Sequence, residues 1–171
     1  MIVSLPLQIQ ILYMHGMPRN ARLLPKKKLM TDARAAIEAC AVSNARLAAR
    51  RLTQFLTDRM KASALSVAQF GLMAQIAAAS DDSLGALAQR TGLDPSTLSR
   101  NLQLLEREGL VEMAADEADS RRRAVWLTEE GARRLESALA EWRKAHAELA
   151  ALVDVGAVRR IAKATERLAE G

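Results

Sequence analysis

The sequence predicts a mostly α-helical protein with one small β-hairpin, and three observations lead there. Half of the 171 residues are apolar, enough to bury a real core and too many for wholesale disorder. The only aromatic residues are Tyr13, Phe55, Phe70, Trp126 and Trp142, whereas sandwiches and barrels are built on aromatic and β-branched residues. Along most of the chain, apolar residues recur at spacings of three and four, the period of an amphipathic helix. Cys40 is the one cysteine, which excludes an internal disulfide framework and a multi-cysteine zinc site. No uninterrupted apolar run reaches the roughly 18 residues that a spanning helix needs. A soluble, cytoplasmic protein is expected.

The net charge of +5 is a poor argument for nucleic acid, because of where it sits. Residues 1–29 carry Arg19, Arg22, Lys26, Lys27 and Lys28 and no acid, and the rest of the chain is balanced. The apolar stretch Ile2–Leu12 lacks the preceding positive charge and the small-residue cleavage site of a secretory signal. Residues 1–29 are therefore expected to be a disordered basic extension, with Met30 a candidate natural start. The alternative use of such an arm is to add phosphate contacts.

Met30-Thr31-Asp32 opens a helical pattern that runs to about Lys61 without Gly or Pro. Ile37, Ala41, Ala45, Ala48, Leu52 and Leu56 form its apolar stripe, and Arg46, Arg50 and Arg51 lie off it. Leu65–Ala79 reads as a more buried helix, with Ser66 as its cap and Phe70, Met73 and Ile76 inward. Asp81-Asp82-Ser83 is a turn and cap, and Leu84–Thr91 a short helix. After Gly92-Leu93-Asp94, the next helix spans Pro95–Glu108, with Asp94 at the cap and Pro95 where a missing N–H costs nothing. Gly109 closes it in a left-handed conformation. Val111–Ala114 and Ala124–Leu127 read as a hairpin around a charged loop. Thr128-Glu129-Glu130 caps a long helix to about Leu152, with acids where the helix dipole favours them, and Asp154–Leu168 is the last helix.

The segment Leu84–Leu102 carries the functional signal. Ala88, Gly92 and Leu98 stand where a helix-turn-helix needs a small residue for close crossing, a turn and an apolar anchor. On the second helix Leu98, Leu102 and Leu105 share one face, while Ser96, Ser99, Arg100 and Gln103 lie on the other. Short hydroxyls with Arg and Gln are side chains that read base edges in the major groove, and Thr97 joins them at the helix start. The loop Asp116–Arg123 follows directly, so the hairpin makes a wing. Its Arg121, Arg122 and Arg123 are placed to enter the minor groove or grip phosphates, and Asp119 is expected to pair with one of them and orient it.

At these residues the sequence resembles the MarR family of bacterial transcriptional regulators. The resemblance rests on Ser96-Thr97-Leu98-Ser99-Arg100, then Leu102, Leu105-Glu106 and Gly109-Leu110-Val111. Asp119-Ser120-Arg121 and Leu127-Thr128-Glu129-Glu130-Gly131 match the family's wing and following helix. It covers residues 35–168. Ser120 stands where the family often has Arg, which implies one weaker phosphate contact. The resemblance implies a homodimer with a base formed from residues 30–62 and 128–171, and a winged helix-turn-helix DNA-binding domain at 63–127. It also implies a pseudo-palindromic double-stranded operator, and repression relieved by a small aromatic or phenolic acid. Asn44, Arg46 and Phe70 are the candidates for lining an effector pocket, with Arg46 facing a carboxylate.

Other functions have less behind them. His15 and His146 are isolated, and no nucleophile elbow, phosphate loop or dinucleotide fingerprint occurs, so neither an enzyme nor a metal or cofactor site is expected. A protein-interaction module would use the basic tail and Ala/Leu-rich helices but leaves the wing unexplained. One branch of the family senses hydroperoxides through a cysteine in the first helix. Cys40 falls two residues before that position, where Val42 stands, and the supporting tyrosines are absent. Redox control through Cys40 is the alternative mode of regulation.

Overall fold

The computed structural model describes residues 27–115 and 123–168. The chain divides into two compact units, the first ending at Leu47 and the second starting at Ala48. The expected extension of residues 1–29 lies outside the described residues up to residue 26.

The first unit holds α1 (Lys27–Ala39) and the first two turns of α2 (Ala41–Arg59). Two expectations are corrected here. The helix begins at Lys27 instead of near Thr31, so Lys27, Lys28 and Leu29 are helical and Thr31 is interior, its hydroxyl donating to the Lys27 carbonyl at 3.1 Å. The pattern read as one helix is also broken at Cys40. The Asn44 amide donates to the Glu38 carbonyl at 2.9 Å, occupying an oxygen that a continuous helix would offer to its own backbone. The Ser43 N–H turns to the Cys40 Sγ at 3.5 Å, as the third residue of a new helix turns to its cap.

The second unit is built on one core. The end of α2 leads through Met60, Ser63 and Leu65, all buried, into α3 (Val67–Ala77). Ser66 and Gln69 form a reciprocal capping box at its start, and the Gln69 amide also donates to Glu108 at 3.0 Å. Ser66→Ala is expected to cost about 1 kcal/mol of stability, read as a lowered urea midpoint with unchanged slope. Phe70, Met73 and Ile76 point inward as expected. The α4 helix (Leu84–Thr91) and α5 (Pro95–Arg107) follow, then strands β1 (Val111–Ala115) and β2 (Arg123–Leu127). The strands pair antiparallel with Val111 opposite Leu127 and Ala115 opposite Arg123.

The hairpin is stitched to the loop before α4. The Val125 N–H donates to the Asp82 carbonyl at 3.0 Å, and Ser83 bridges Ala124. Helix α6 (Glu129–Leu152) starts on the Thr128 cap and sends Leu135, Ala138 and Ala145 into the same core. Helix α7 (Val155–Thr165), capped by Asp154, and a short 3-10 turn (Glu166–Leu168) bury none of their residues. His146, expected on a surface, is half-buried and lies 4.6 Å from the Trp142 ring, which stacks on Phe70 at 5.8 Å. No described helix is long and apolar enough to cross a membrane.

Candidate nucleic-acid interface

Helices α4 and α5 form the helix-turn-helix that the sequence predicts. Ser83 caps α4, and Gly92 closes it at φ +63°, its N–H donating to the Ala88 carbonyl at 2.9 Å. That left-handed turn is open to glycine without steric cost and redirects the chain within three residues. Asp94 then caps α5, accepting the Thr97 N–H at 2.9 Å, with Pro95 in the first turn. Leu98, Leu102 and Leu105 anchor α5, at 4%, 1% and 0% exposure. Burying a leucine contributes about 1.5–3 kcal/mol, so these three fix the rotation of the helix about its axis.

That rotation leaves Ser96, Ser99, Arg100 and Gln103 exposed together on the opposite face. Arg100 Nε donates to the Ser96 carbonyl at 3.4 Å and Arg107 Nε to the Gln103 carbonyl at 3.1 Å, so each guanidinium is tied through Nε to the backbone one turn back. The sequence reading missed Arg107 and the 44%-exposed Leu104 on this side; the seven-residue spacing from Arg100 to Arg107 was the available signal. Thr97 is half-buried on the flank, its hydroxyl donating to Asp94 Oδ2 at 2.7 Å. Ser96 Oγ donates to Asp94 Oδ1 at 2.6 Å. The Ser96 hydroxyl, then the Thr97 hydroxyl and N–H, hold the Asp94 carboxyl well below the usual carboxylate range.

The far end of α5 is locked to α6. Gly109 takes φ +71°, and the Thr128 hydroxyl donates to its carbonyl at 2.7 Å while accepting the Gly131 N–H at 2.9 Å. The Thr128 N–H donates to the Leu110 carbonyl at 3.1 Å. Of the expected wing residues, Arg123 is exposed at the first position of β2. Asp119, Arg121 and Arg122, and with them the expected pairing of Asp119, lie outside the described residues. Trp126, on β2, donates its indole N–H to Glu112 across the hairpin at 3.1 Å.

The expected pocket residues fall in different units. Asn44 spends its amide on Glu38, and Arg46 is exposed. Phe70 is buried, with its ring against Trp142, and serves the core. Cys40 is half-buried, and hydrogen bonds from the Ser43 side chain and then its backbone lower its thiol pKa. Among the described residues, no three His, Cys, Asp or Glu side chains gather as metal ligands.

A helix-turn-helix followed by a stitched hairpin defines a winged-helix protein. Residues 65–122 match the MarR family profile. A structure of the M. tuberculosis transcriptional regulator MosR in complex with DNA is 36% identical, with 77% of this chain and 96% of that one covered and a TM-score of 0.69. A second MosR structure is 33% identical over 79% and 98% of the two chains, at 0.66. The PcaV transcriptional regulator from Streptomyces coelicolor, in complex with its natural ligand, shares the fold at 19% identity over 79% and 95%, with a TM-score of 0.65. No curated protein matches the sequence. The chain belongs to the MarR family of winged-helix transcriptional regulators.

Proposed function

We propose that this chain is a homodimeric, sequence-specific DNA-binding regulator that acts as a repressor on a pseudo-palindromic operator. The observation that carries the reading is the row Ser96, Ser99, Arg100 and Gln103, exposed on a helix whose other face is held by three buried leucines. That row supplies donors and acceptors of the kind that read base edges, and Arg121, Arg122 and Arg123 are proposed to add groove or phosphate contacts. MosR, at 36% identity, binds DNA, which supports the same partner here.

Each unit leaves apolar side chains uncovered. Leu29, Ile37 and Val42 in the first are 59%, 66% and 61% exposed, and Leu152, Ile161 and Leu168 in the second are 70%, 60% and 80% exposed. These residues lie within segments 30–62 and 128–171 or directly beside them. They support a dimer base there, with residues 63–127 as the DNA-binding domain. The releasing ligand is proposed to be a small aromatic or phenolic acid, as the resemblance of the motifs to the family implies.

The test is a gel shift on the DNA upstream of the protein's own gene, at two salt concentrations, against random DNA of equal length. Salt-sensitive binding with a preference for the upstream DNA supports the reading. Absence of binding to any duplex overturns it in favour of a protein-interaction module. Arg121→Ala is expected to weaken operator binding at least tenfold, roughly 1.4 kcal/mol, and full affinity in that variant removes the wing from the interface.

The Ser43 N–H on the sulfur of half-buried Cys40, at 3.5 Å, favours a thiolate there and with it a second mode of control. That thiolate would attack a peroxide oxygen, forming a sulfenic acid and releasing water or an alcohol. Peroxide is then expected to lower DNA affinity in the wild type and not in Cys40→Ser; unchanged wild-type affinity eliminates this mode.

A further inference from the structure

The leading turn of α5 carries an anion of its own where the helix could otherwise take a phosphate. A helix N-terminus ordinarily attracts phosphate, because its free N–H groups and dipole favour an anion. Here an anion of the protein's own, the Asp94 carboxylate, already occupies that position. An ionised carboxylate has no proton, so both hydroxyls that touch it must donate: Ser96 Oγ at 2.6 Å and Thr97 Oγ1 at 2.7 Å. Each hydroxyl has one proton, and that proton is committed.

We propose that Asp94 is a specificity-determining positioning residue: it makes the Ser96 hydroxyl an acceptor only, so that Ser96 reads an exocyclic amino group and not a phosphate. This rests on the reading that the exposed face of α5 enters the major groove. Phosphate oxygens accept and never donate, so a hydroxyl whose proton is committed gains nothing from them. In the major groove the donors are cytosine N4 and adenine N6. Arg100, one turn along, complements this. Its Nε is turned to the Ser96 carbonyl, leaving the two terminal nitrogens as a fork for guanine O6 and N7. The turn thus presents an acceptor beside a donor fork. It fits an operator step in which a cytosine or adenine amino group neighbours a guanine.

The test starts from duplexes selected in vitro from a random pool by the wild-type protein. In the selected duplex, purine replaces adenine and 2-pyrimidinone replaces cytosine, one position at a time, which deletes single amino groups. One such deletion is expected to weaken wild-type binding about tenfold. Asp94→Ser keeps a good helix cap while removing the charge and freeing the Ser96 proton, and Asp94→Gly, a tolerated cap with no side-chain acceptor, is the second variant should the first fold poorly. Both are expected to bind random DNA about threefold or more tightly, with a steeper salt dependence, and to lose the response to the amino deletion. An amino response that persists in both variants, with Ser96→Ala still weakening operator binding, overturns the proposal and leaves the DNA-binding face in place. Wild-type operator affinity in both Ser96→Ala and Arg100→Ala overturns that face itself, and the proposal with it.

Discussion

Gly131→Ala is expected to destabilise the second unit by about 3 kcal/mol or more, lowering Tm by roughly 6–12 °C. A Cβ at this position would run into the Leu110 carbonyl oxygen, and the Leu110 carbonyl carbon would lie at 2.9 Å. Neither atom can yield cheaply. The Leu110 carbonyl accepts the Thr128 N–H, and Leu110 itself is 0% exposed. The junction also connects the end of α5 to the start of α6, so DNA affinity is expected to fall with stability. Gly71→Ala is the control, because nothing lies within 4 Å of its Cβ position in the middle of α3. It is expected to stabilise by about 0.5–1 kcal/mol through helix propensity alone. Thermal unfolding of both variants checks the pair, and equal melting temperatures would show that the α5–α6 junction is not tight.

Arg100→Ala is the second large effect. Loss of a bidentate contact to guanine costs about 1–3 kcal/mol, so operator affinity should fall roughly 5- to 150-fold while affinity for random DNA changes much less. Arg100→Lys should recover charge without specificity, because an ammonium cannot form the planar fork. Fluorescence anisotropy on operator and random duplexes separates the two, and equal losses on both would make Arg100 a phosphate contact.

The α4–α5 motif was legible in the sequence because local chemistry and global packing agree there. Ser83, Asp94 and Thr128 cap the helices, and Gly92 and Gly109 take the left-handed turns their positions demand. The break at Cys40 was not legible from periodicity, because the apolar stripe continues across it. What breaks the helix is a competition for backbone hydrogen bonds by Cys40 and Asn44, and the polar cluster Cys40, Ser43 and Asn44 was the sign of it. Phe70 illustrates the complementary difficulty. A helical aromatic residue on an apolar face serves a core or a pocket with equal ease, and only its burial against Trp142 shows the part it plays within its own unit. The role of Asp94 beyond capping depends on two short hydrogen bonds that spacing alone does not reveal.

The most direct test of the central claim is a hydroxyl-radical footprint of the protein on its selected operator. A dimer that presents two α5 helices should protect two segments about one helical turn, or roughly 10 base pairs, apart, related by the pseudo-two-fold of the sequence. Arg100→Ala should erase both segments together. A single protected segment, or a footprint of the same strength on random DNA, would contradict the account.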